Sequence, residues 1–223
     1  MHGATSAAAE RAEAARYALL RRLAPAMRHH LVVNLQPIGM VYELMDHRLR
    51  APQPDLDHVQ AGAHKIHGFA QAALHSCLDV VAWLAPDEPA STTCERGVEE
   101  CMGLLASSLA FAGYAVRTEL EPTTGEVSQS AVRHVLTAAL VQGTDAVPPP
   151  AALDLTAKPC PAGLEVRLLM CPETAGATNT LVPTYRALGW EDVEALAKAE
   201  GVSLARVADG VVLTFPWMRV PLQ

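Results

Sequence analysis

The chain has 223 residues, half of them hydrophobic and only 4% aromatic. This length fits one or two domains, and the apolar content excludes a chain that stays unfolded. Seventeen basic against 24 acidic residues give a formal charge of −7, which argues against non-specific nucleic-acid binding. No apolar run approaches the roughly 20 residues that span a bilayer, and the N-terminus lacks a signal-peptide core. We therefore expect a cytoplasmic protein that binds neither nucleic acid nor membrane.

The first third of the chain has the pattern of a long helix. Over residues 7–49, apolar side chains recur three or four positions apart, which indicates a helix with one apolar stripe. This stripe comprises Leu20, Leu23, Met27, Leu31, Leu35, Ile38, Tyr42, Met45 and Leu49. Pro25 and Pro37 interrupt the pattern, and they are expected to kink the helix or to split off its start.

A second helix is predicted after a turn at residues 51–57, in which Asp55 is placed to cap it. Its apolar residues alternate four and three positions apart, as in a heptad repeat. They are Val59, Ala63, Ile66, Ala70, Ala73, Cys77, Val80 and Leu84. One hairpin cannot bury both stripes, whereas a second copy would complete a four-helix bundle. We therefore expect residues 1–85 to form a dimerisation hairpin and the protein to be a homodimer.

Helix and strand patterns alternate after a linker at residues 85–92. Gly113 is placed to end the first helix of this part, and Asp209-Gly210 is typical of a hairpin turn. Residues 92–223 are therefore predicted to form an α/β sandwich, and the fold class is α+β. The predicted helices cover residues 95–112, 129–142 and 190–200, and the predicted strands cover residues 114–120, 152–157, 164–170, 202–207 and 211–215.

The cysteines and histidines offer no strong metal site. None of the five cysteines form a C-x-x-C pair, so reduced thiols are the simpler interpretation. His64 and His67 are three positions apart on the second helix, but no carboxylate lies one turn away. The solvated surface of a bundle explains them better, and we predict no resident metal ion.

Residues 28–36 carry the most informative motif of the chain, which begins Arg28-His29-His30 and ends Asn34-Leu-Gln. On a helical wheel His29 lies about 200° from Met27, opposite the apolar stripe, while His30 lies on the flank of the stripe. A phosphoryl acceptor must be open to a partner, and neutral imidazole is a nucleophile near pH 7. From the wheel alone, two ordinary surface histidines are the simpler interpretation.

The motif resembles the H-box of two-component histidine kinases, in the variant pattern H-x-x-x-N-N-L-Q. The order of parts over most of the chain is also similar to that family: H-box helix, turn, second helix and α/β sandwich. The resemblance implies that His29 is the phosphoacceptor and that Asn34 belongs to the catalytic motif. It also gives His30 the position of a neighbouring base, and Arg28 can neutralise phosphate charge.

The second domain resembles the ATP-binding domain of these kinases with its chemical residues replaced. Ala138 and Gln142 stand at the two asparagine positions of the Mg²⁺-binding N-box helix. Cys171 stands at the position of the adenine-reading aspartate, and Gly189 is the one glycine left of a phosphate-binding segment. The resemblance therefore implies a vestigial nucleotide site near Gln142, Cys171 and Gly189, with no cofactor stably bound.

These features favour a histidine phosphotransfer protein of a two-component phosphorelay, which is phosphotransferase-like rather than an ATP-dependent autokinase. His29 would exchange a phosphoryl group with the aspartates of response-regulator receiver domains, and the receiver would supply Mg²⁺. Two alternatives stay open. One is a divergent histidine kinase that still uses ATP. The other is a pseudokinase scaffold that binds a receiver or a kinase without chemistry.

Overall fold

The computed structural model describes residues 2–85, 90–173 and 185–219. The fold is α+β, as predicted, with a long helical hairpin and a mixed sheet packed with helices. The chain divides into an α/β unit, Met1–Leu23 with Asp87–Gln223, and a hairpin unit, Ala24–Pro86. The first 23 residues, which the sequence suggested as part of the hairpin, thus pack within the α/β unit. In the described part of the chain, no helix is long and apolar enough to cross a membrane.

Two helices, separated by a short turn, make up residues 2–84. Helix α1 (His2–Leu49) contains both Pro25 and Pro37, so neither proline splits off its start. Helix α2 (Leu56–Leu84) begins after Asp55, whose side chain accepts a hydrogen bond from the His58 N–H at 3.1 Å. The predicted cap is therefore confirmed, and it satisfies one of the backbone donors that a helix start leaves open.

The inward face of α2 within the hairpin unit alternates three and four residues, as a packed helix pair requires. Its least exposed residues are Val59, Gly62, Ile66, Phe69, Ala73, Ser76, Val80 and Trp83. At Gly62 the Met45 side chain of α1 fills the space of a missing side chain, because a Cβ there would lie 2.5 Å from Met45 Cγ. The two helices thus interlock at this point.

Beyond Leu31 the predicted stripe of α1 is only partly right, because Ile38 and Met45 are half-buried whereas its other members face outward. Leu35, Tyr42 and Leu49 are 49%, 62% and 47% exposed, and the inward positions lie one residue earlier, at Asn34, Val41 and Arg48. On α2, alternate members of the predicted heptad are likewise exposed; these are Ala63, Ala70, Cys77 and Leu84. The apolar arc of each helix is therefore wider than the strip that one neighbouring helix covers.

A small sheet of the α/β unit brings the beginning and the end of residues 90–219 together. Its strands are β1 (Ser91–Thr92), β3 (Glu126–Ser128) and β8 (Trp217–Arg219), and β3 pairs antiparallel with both others. None of these three strands was predicted from the sequence, because segments of two or three residues are too short to show an alternation of apolar and polar side chains.

The main sheet has five strands, which lie side by side in the order 114–120, 151–160, 163–172, 210–215 and 203–207. Strands β2 (Tyr114–Leu120) and β4 (Ala151–Cys160) run parallel, and the other neighbours are antiparallel. The remaining strands are β5 (Gly163–Pro172), β6 (Ser203–Val207) and β7 (Gly210–Phe215). The predicted strand pairs around residues 161–162 and 208–209 are confirmed.

The helices of the α/β unit follow the predicted order. Helix α3 (Cys94–Ala112) ends at Gly113, whose positive φ of 94° suits a residue without a Cβ. Helices α4 (Gln129–Ala131) and α5 (Thr137–Ala146) are joined by a π-helical segment, residues 132–136. Helix α6 (Trp190–Ala199) is the last. The core includes Val135, Leu140, Leu153, Leu155, Val166, Leu168, Val193, Leu196, Leu213 and Phe215.

The start of α1 contributes its own buried face to this core. Its buried residues are Ala12, Ala15, Ala18, Leu19 and Leu23. On the flank of this face, Arg16 Nη2 donates to Glu200 Oε1 at 3.0 Å. The same carboxylate accepts hydrogen bonds from His134 Nδ1 at 2.9 Å and from Ser130 Oγ at 2.8 Å. Glu200 therefore links three separate segments of the unit.

This arrangement makes Glu200 a pH-dependent stabilising group. Burial by itself raises the pKa of Glu200, but hydrogen bonds from His134, Ser130 and Arg16 outweigh it and lower the pKa to about 2. Because the folded pKa lies below the ordinary value of 4.5, the stabilisation is present above about pH 5 and is lost as the pH falls towards 2.

We expect Glu200→Gln to lower the free energy of unfolding at pH 7 by on the order of 3 kcal/mol. The difference from the wild type should shrink as the pH falls towards 2, because protonation removes the same charge from the wild type. Denaturant unfolding between pH 2 and 7 measures it, with the exposed Glu194→Gln on α6 as the control. A pH-independent difference would contradict this account.

Candidate functional site

The residues of the predicted phosphotransfer motif lie on α1 within the hairpin unit. His29 and Arg28 are exposed, whereas His30 and Asn34 are half-buried. The exposure of His29 agrees with its position opposite the apolar stripe on the helical wheel. An imidazole on this face is accessible to a partner protein, and Arg28, the residue before it, lies about 100° away around the helix.

Asn34 is committed to a contact between the two helices. Its Nδ2 donates to Ser76 Oγ on α2 at 2.8 Å and to the His30 carbonyl at 3.2 Å. Ser76 was not predicted from the sequence. It lies three residues after Ala73 on the inward face of α2, and a polar residue in this apolar seam is the signal that could have found it. The structure therefore joins Asn34 to α2, and His29 lies about 140° away on the wheel.

The described residues hold no group of three or more His, Cys, Asp and Glu side chains placed to bind a metal ion. His64 and His67 are both exposed on α2. His64 Nδ1 lies 2.9 Å from the Gln60 carbonyl oxygen, one turn earlier in the same helix. This contact is one that a surface histidine makes with its own helix.

In the α/β unit, Gln142 lies beside a cavity of about 210 Å³ whose wall also includes Met170, Trp190 and Arg206. Gln142 is 5% exposed, and its Oε1 has no hydrogen-bond partner. Met170 Sδ would lie 2.8 Å from a Cβ at Gly143, so this thioether fills the space beside α5. The Gln142 amide and the Met170 thioether thus both border this cavity.

Cys171 does not share this cavity. Leu168 and Met170 line the cavity, so the alternation of β5 places Cys171 on the other face of the sheet. There Cys171 Sγ donates to Asp154 Oδ2 at 3.5 Å. Desolvation and the Asp154 carboxylate raise the pKa of the Cys171 thiol, which favours the neutral form. The structure thus separates Cys171 from Gln142, and Ala138 is fully buried.

The backbone before α6 is bound to carboxylates of the chain itself. The Leu188 N–H donates to Asp145 Oδ2 at 2.9 Å, and the Gly189 N–H donates to Asp192 Oδ2 at 3.0 Å. These donors are of the kind that approach phosphates at a helix start. Two carboxylates occupy them instead, so a phosphate group would have to displace both.

Two arginines hold these carboxylates in place. Arg22 of α1 binds Asp145 through two hydrogen bonds of 2.6 and 2.7 Å, and Arg186 binds Asp192 at 2.6 and 2.8 Å. The hydrogen bonds from Arg186 lower the pKa of Asp192, which outweighs the effect of its burial. Bidentate pairs of this kind are strong and geometrically specific. The segment around Gly189 is therefore neutralised internally.

No protein-family model matches the chain, and no curated protein matches its sequence. A histidine kinase of Acinetobacter baumannii, AdeS, is 12% identical with a TM-score of 0.44, over 82% of this chain and 97% of that one. A bacterial phosphotransferase is 12% identical with a TM-score of 0.40, over 88% and 95%. A histidine kinase from Burkholderia phymatum is 13% identical with a TM-score of 0.44, over 89% and 98%.

Two of these solved structures are histidine kinases, the class that the sequence motif resembles. With TM-scores below 0.5 and identities of 12–13%, they carry no argument about function. The function therefore has to be argued from the residues of this chain.

We expect Mg·ATP to bind weakly or not at all. The N–H donors of Leu188 and Gly189 are bound to carboxylates, and Gln142 and Cys171 stand where the resemblance implies the residues that read Mg²⁺ and adenine. Calorimetric titration of Mg·ATP should give no saturable heat, and the melting temperature should not rise above that with Mg²⁺ alone. A dissociation constant in the low micromolar range would contradict this expectation and favour a divergent kinase.

Proposed function

We propose that this chain is a histidine phosphotransfer protein of a two-component phosphorelay, with His29 as the phosphoacceptor. The observation that carries the proposal is an exposed histidine, in an H-box-like motif, on the first helix of a hairpin. The self-occupied backbone donors at Leu188 and Gly189 support a phosphoryl source other than ATP. The source of the right chemistry is an aspartyl phosphate on a receiver domain.

The transfer is a displacement at phosphorus. The unprotonated ring nitrogen of His29 attacks the aspartyl phosphate, forming a P–N bond while the P–O bond to the aspartate breaks and its carboxylate leaves. The ring proton passes to His30 or to water, and the positive charge of Arg28 offsets the charge of the phosphoryl oxygens. The reverse reaction passes the group to a second receiver. Mg²⁺ enters with the receiver, whose acidic residues hold it.

The hairpin also supports the expected homodimer. Large apolar side chains stay exposed on both of its helices after the hairpin has formed; they are Val32, Val33, Leu35, Met40, Tyr42, Leu44, Leu49, Leu74, Leu78, Val81 and Leu84. Exposed apolar side chains in such number mark a protein interface. A second hairpin offers a complementary surface of the same chemistry, which would complete a four-helix bundle.

Light scattering of the full chain at micromolar concentration should therefore give the mass of a dimer. The paired substitution Leu78→Glu with Val81→Glu should give a monomer, because charges would be buried in the interface. Gln71→Glu, at an exposed polar position of the same helix, serves as the control for added charge. A monomeric wild type, or a dimer that survives the paired substitution, would rule out this interface.

The second expectation concerns His29 and His30. His29→Ala should change stability by no more than about 0.5 kcal/mol, because the side chain is exposed, yet it should abolish phosphoryl transfer. His30 faces a direction about 100° away, so His30→Ala should slow transfer without removing it. Receiver domains charged with radiolabelled acetyl phosphate, followed by acid-labile label on this chain, provide the measurement.

The same pair of variants separates the alternatives. If His30→Ala loses transfer and His29→Ala keeps it, the acceptor is His30. If the receivers bind the wild type and His29→Ala equally and neither becomes labelled, the scaffold interpretation takes the place of phosphotransfer.

A further inference from the structure

Ser76 is a polar residue within an otherwise apolar seam of the hairpin unit. It is 2% exposed, and its neighbours along the inward row of α2 are Ala73 and Val80. Its hydroxyl accepts a hydrogen bond from Asn34 Nδ2 at 2.8 Å and donates to the Ala72 carbonyl at 3.0 Å. Both functions of the hydroxyl are therefore used.

The same contact reaches the backbone beside His29. Asn34 Nδ2, besides binding Ser76, donates to the carbonyl of His30 at 3.2 Å. A chain of hydrogen bonds thus runs from the Ala72 carbonyl of α2, through the side chains of Ser76 and Asn34, to the main chain of His30. We call this chain the Asn34–Ser76 tie.

The tie allows only one alignment of the two helices. Sliding α2 by one turn would place Ala72 or Val80 opposite Asn34. The half-buried Asn34 amide would then lose its Ser76 partner, and the Ser76 position would no longer satisfy it, which is unfavourable for a polar group shielded from water. Single buried polar residues fix the register of coiled coils for the same reason. The tie therefore sets where α1 stands along α2.

The position of the tie in α1 adds to its effect. Pro37 has no N–H, so the Val33 carbonyl lacks the backbone donor that an ordinary residue at position 37 would provide. The helix is thus weakened immediately after the turn that contains His30 and Asn34. The bond from Asn34 Nδ2 to the His30 carbonyl lies in the last complete turn before this weak point.

We infer that Ser76 is a positioning residue for phosphoryl transfer, acting through Asn34 on the turn that presents His29. The inference rests on the proposed function. A receiver that contacts α2 delivers its phosphoryl group at a set place, so attack requires α1 to be fixed relative to α2. An error of about 1 Å in such an arrangement can cost on the order of 100-fold in rate. Asn34, expected from the motif to be catalytic, is by this inference a member of the tie.

Single-turnover transfer from a phosphorylated receiver to the full chain tests the inference. Ser76→Ala should lower the rate at saturating receiver by about 10- to 100-fold, with the half-saturating receiver concentration changed by less than about threefold. Asn34→Ala should act similarly, and the double variant should be no slower than either single one, because both break the same tie. Ser76→Thr keeps the hydroxyl and should restore most of the rate.

Met45→Ala is the matched control. It removes the side chain that fills the space at Gly62, so it weakens the hairpin without touching the tie. It should keep the wild-type rate, whereas a rate that falls in proportion to stability in all variants would reduce Ser76 to a structural role. Amide hydrogen exchange of residues 30–34 gives a readout independent of transfer, and it should be faster in Ser76→Ala than in Met45→Ala.

The positioning role of Ser76 and the proposed phosphotransfer function can be refuted separately. If the wild type transfers normally and Ser76→Ala transfers equally well, the positioning role is refuted while the phosphotransfer function stands. If the wild type takes no label from any receiver, the proposed function falls and the positioning role with it, whatever the exchange data show.

Discussion

Two ion pairs join the start of α1 to the rest of the α/β unit, and they are the interactions on which that unit depends most. Arg16 binds Glu200 and Arg22 binds Asp145, so two arginines two turns apart anchor the start of α1 over its buried alanines and leucines. Each carboxylate makes further bonds, Glu200 to His134 and Asp145 to the Leu188 N–H. The Arg22–Asp145 pair is largely buried, whereas Arg16 is 35% exposed, so breaking the Arg22–Asp145 pair would leave a buried charge without a partner, which is strongly destabilising.

The same pairs bear on the segment that opens α6, where the resemblance implied a vestigial nucleotide site. A helix start attracts anions because its N–H groups are unpaired and its dipole is positive there. In this chain the anions at that place are the carboxylates of Asp145 and Asp192, each neutralised by an arginine. The backbone donors at this helix start are thus used in internal structural contacts. The phosphoryl chemistry that we propose accordingly depends on one exposed imidazole and on a partner that brings the phosphoryl group.

In the hairpin unit, one face of the helices holds the pair together, and the opposite faces are open to partners. The inward face fixes the helix pair, through Met45 against Gly62 and through Asn34 with Ser76. The outward faces carry His29 and a broad apolar surface. This division explains why the heptad pattern of α2 was only half buried. A helix of a four-helix bundle contacts more than one neighbour, and the hairpin supplies one of them.

Local pattern by itself determined the helices and longer strands, the Asp55 cap, the turn at residues 208–209 and the outward orientation of His29. All of these depend on residues within a few positions of one another, so periodicity and turn chemistry suffice. Tertiary structure alone decided that Ser76 meets Asn34 and that Arg22 meets Asp145. It also decided that the first 23 residues pack on the α/β unit and that Leu35 and Tyr42 face outward. These contacts join residues 42 or 123 positions apart, and only the path of the folded chain brings such residues together.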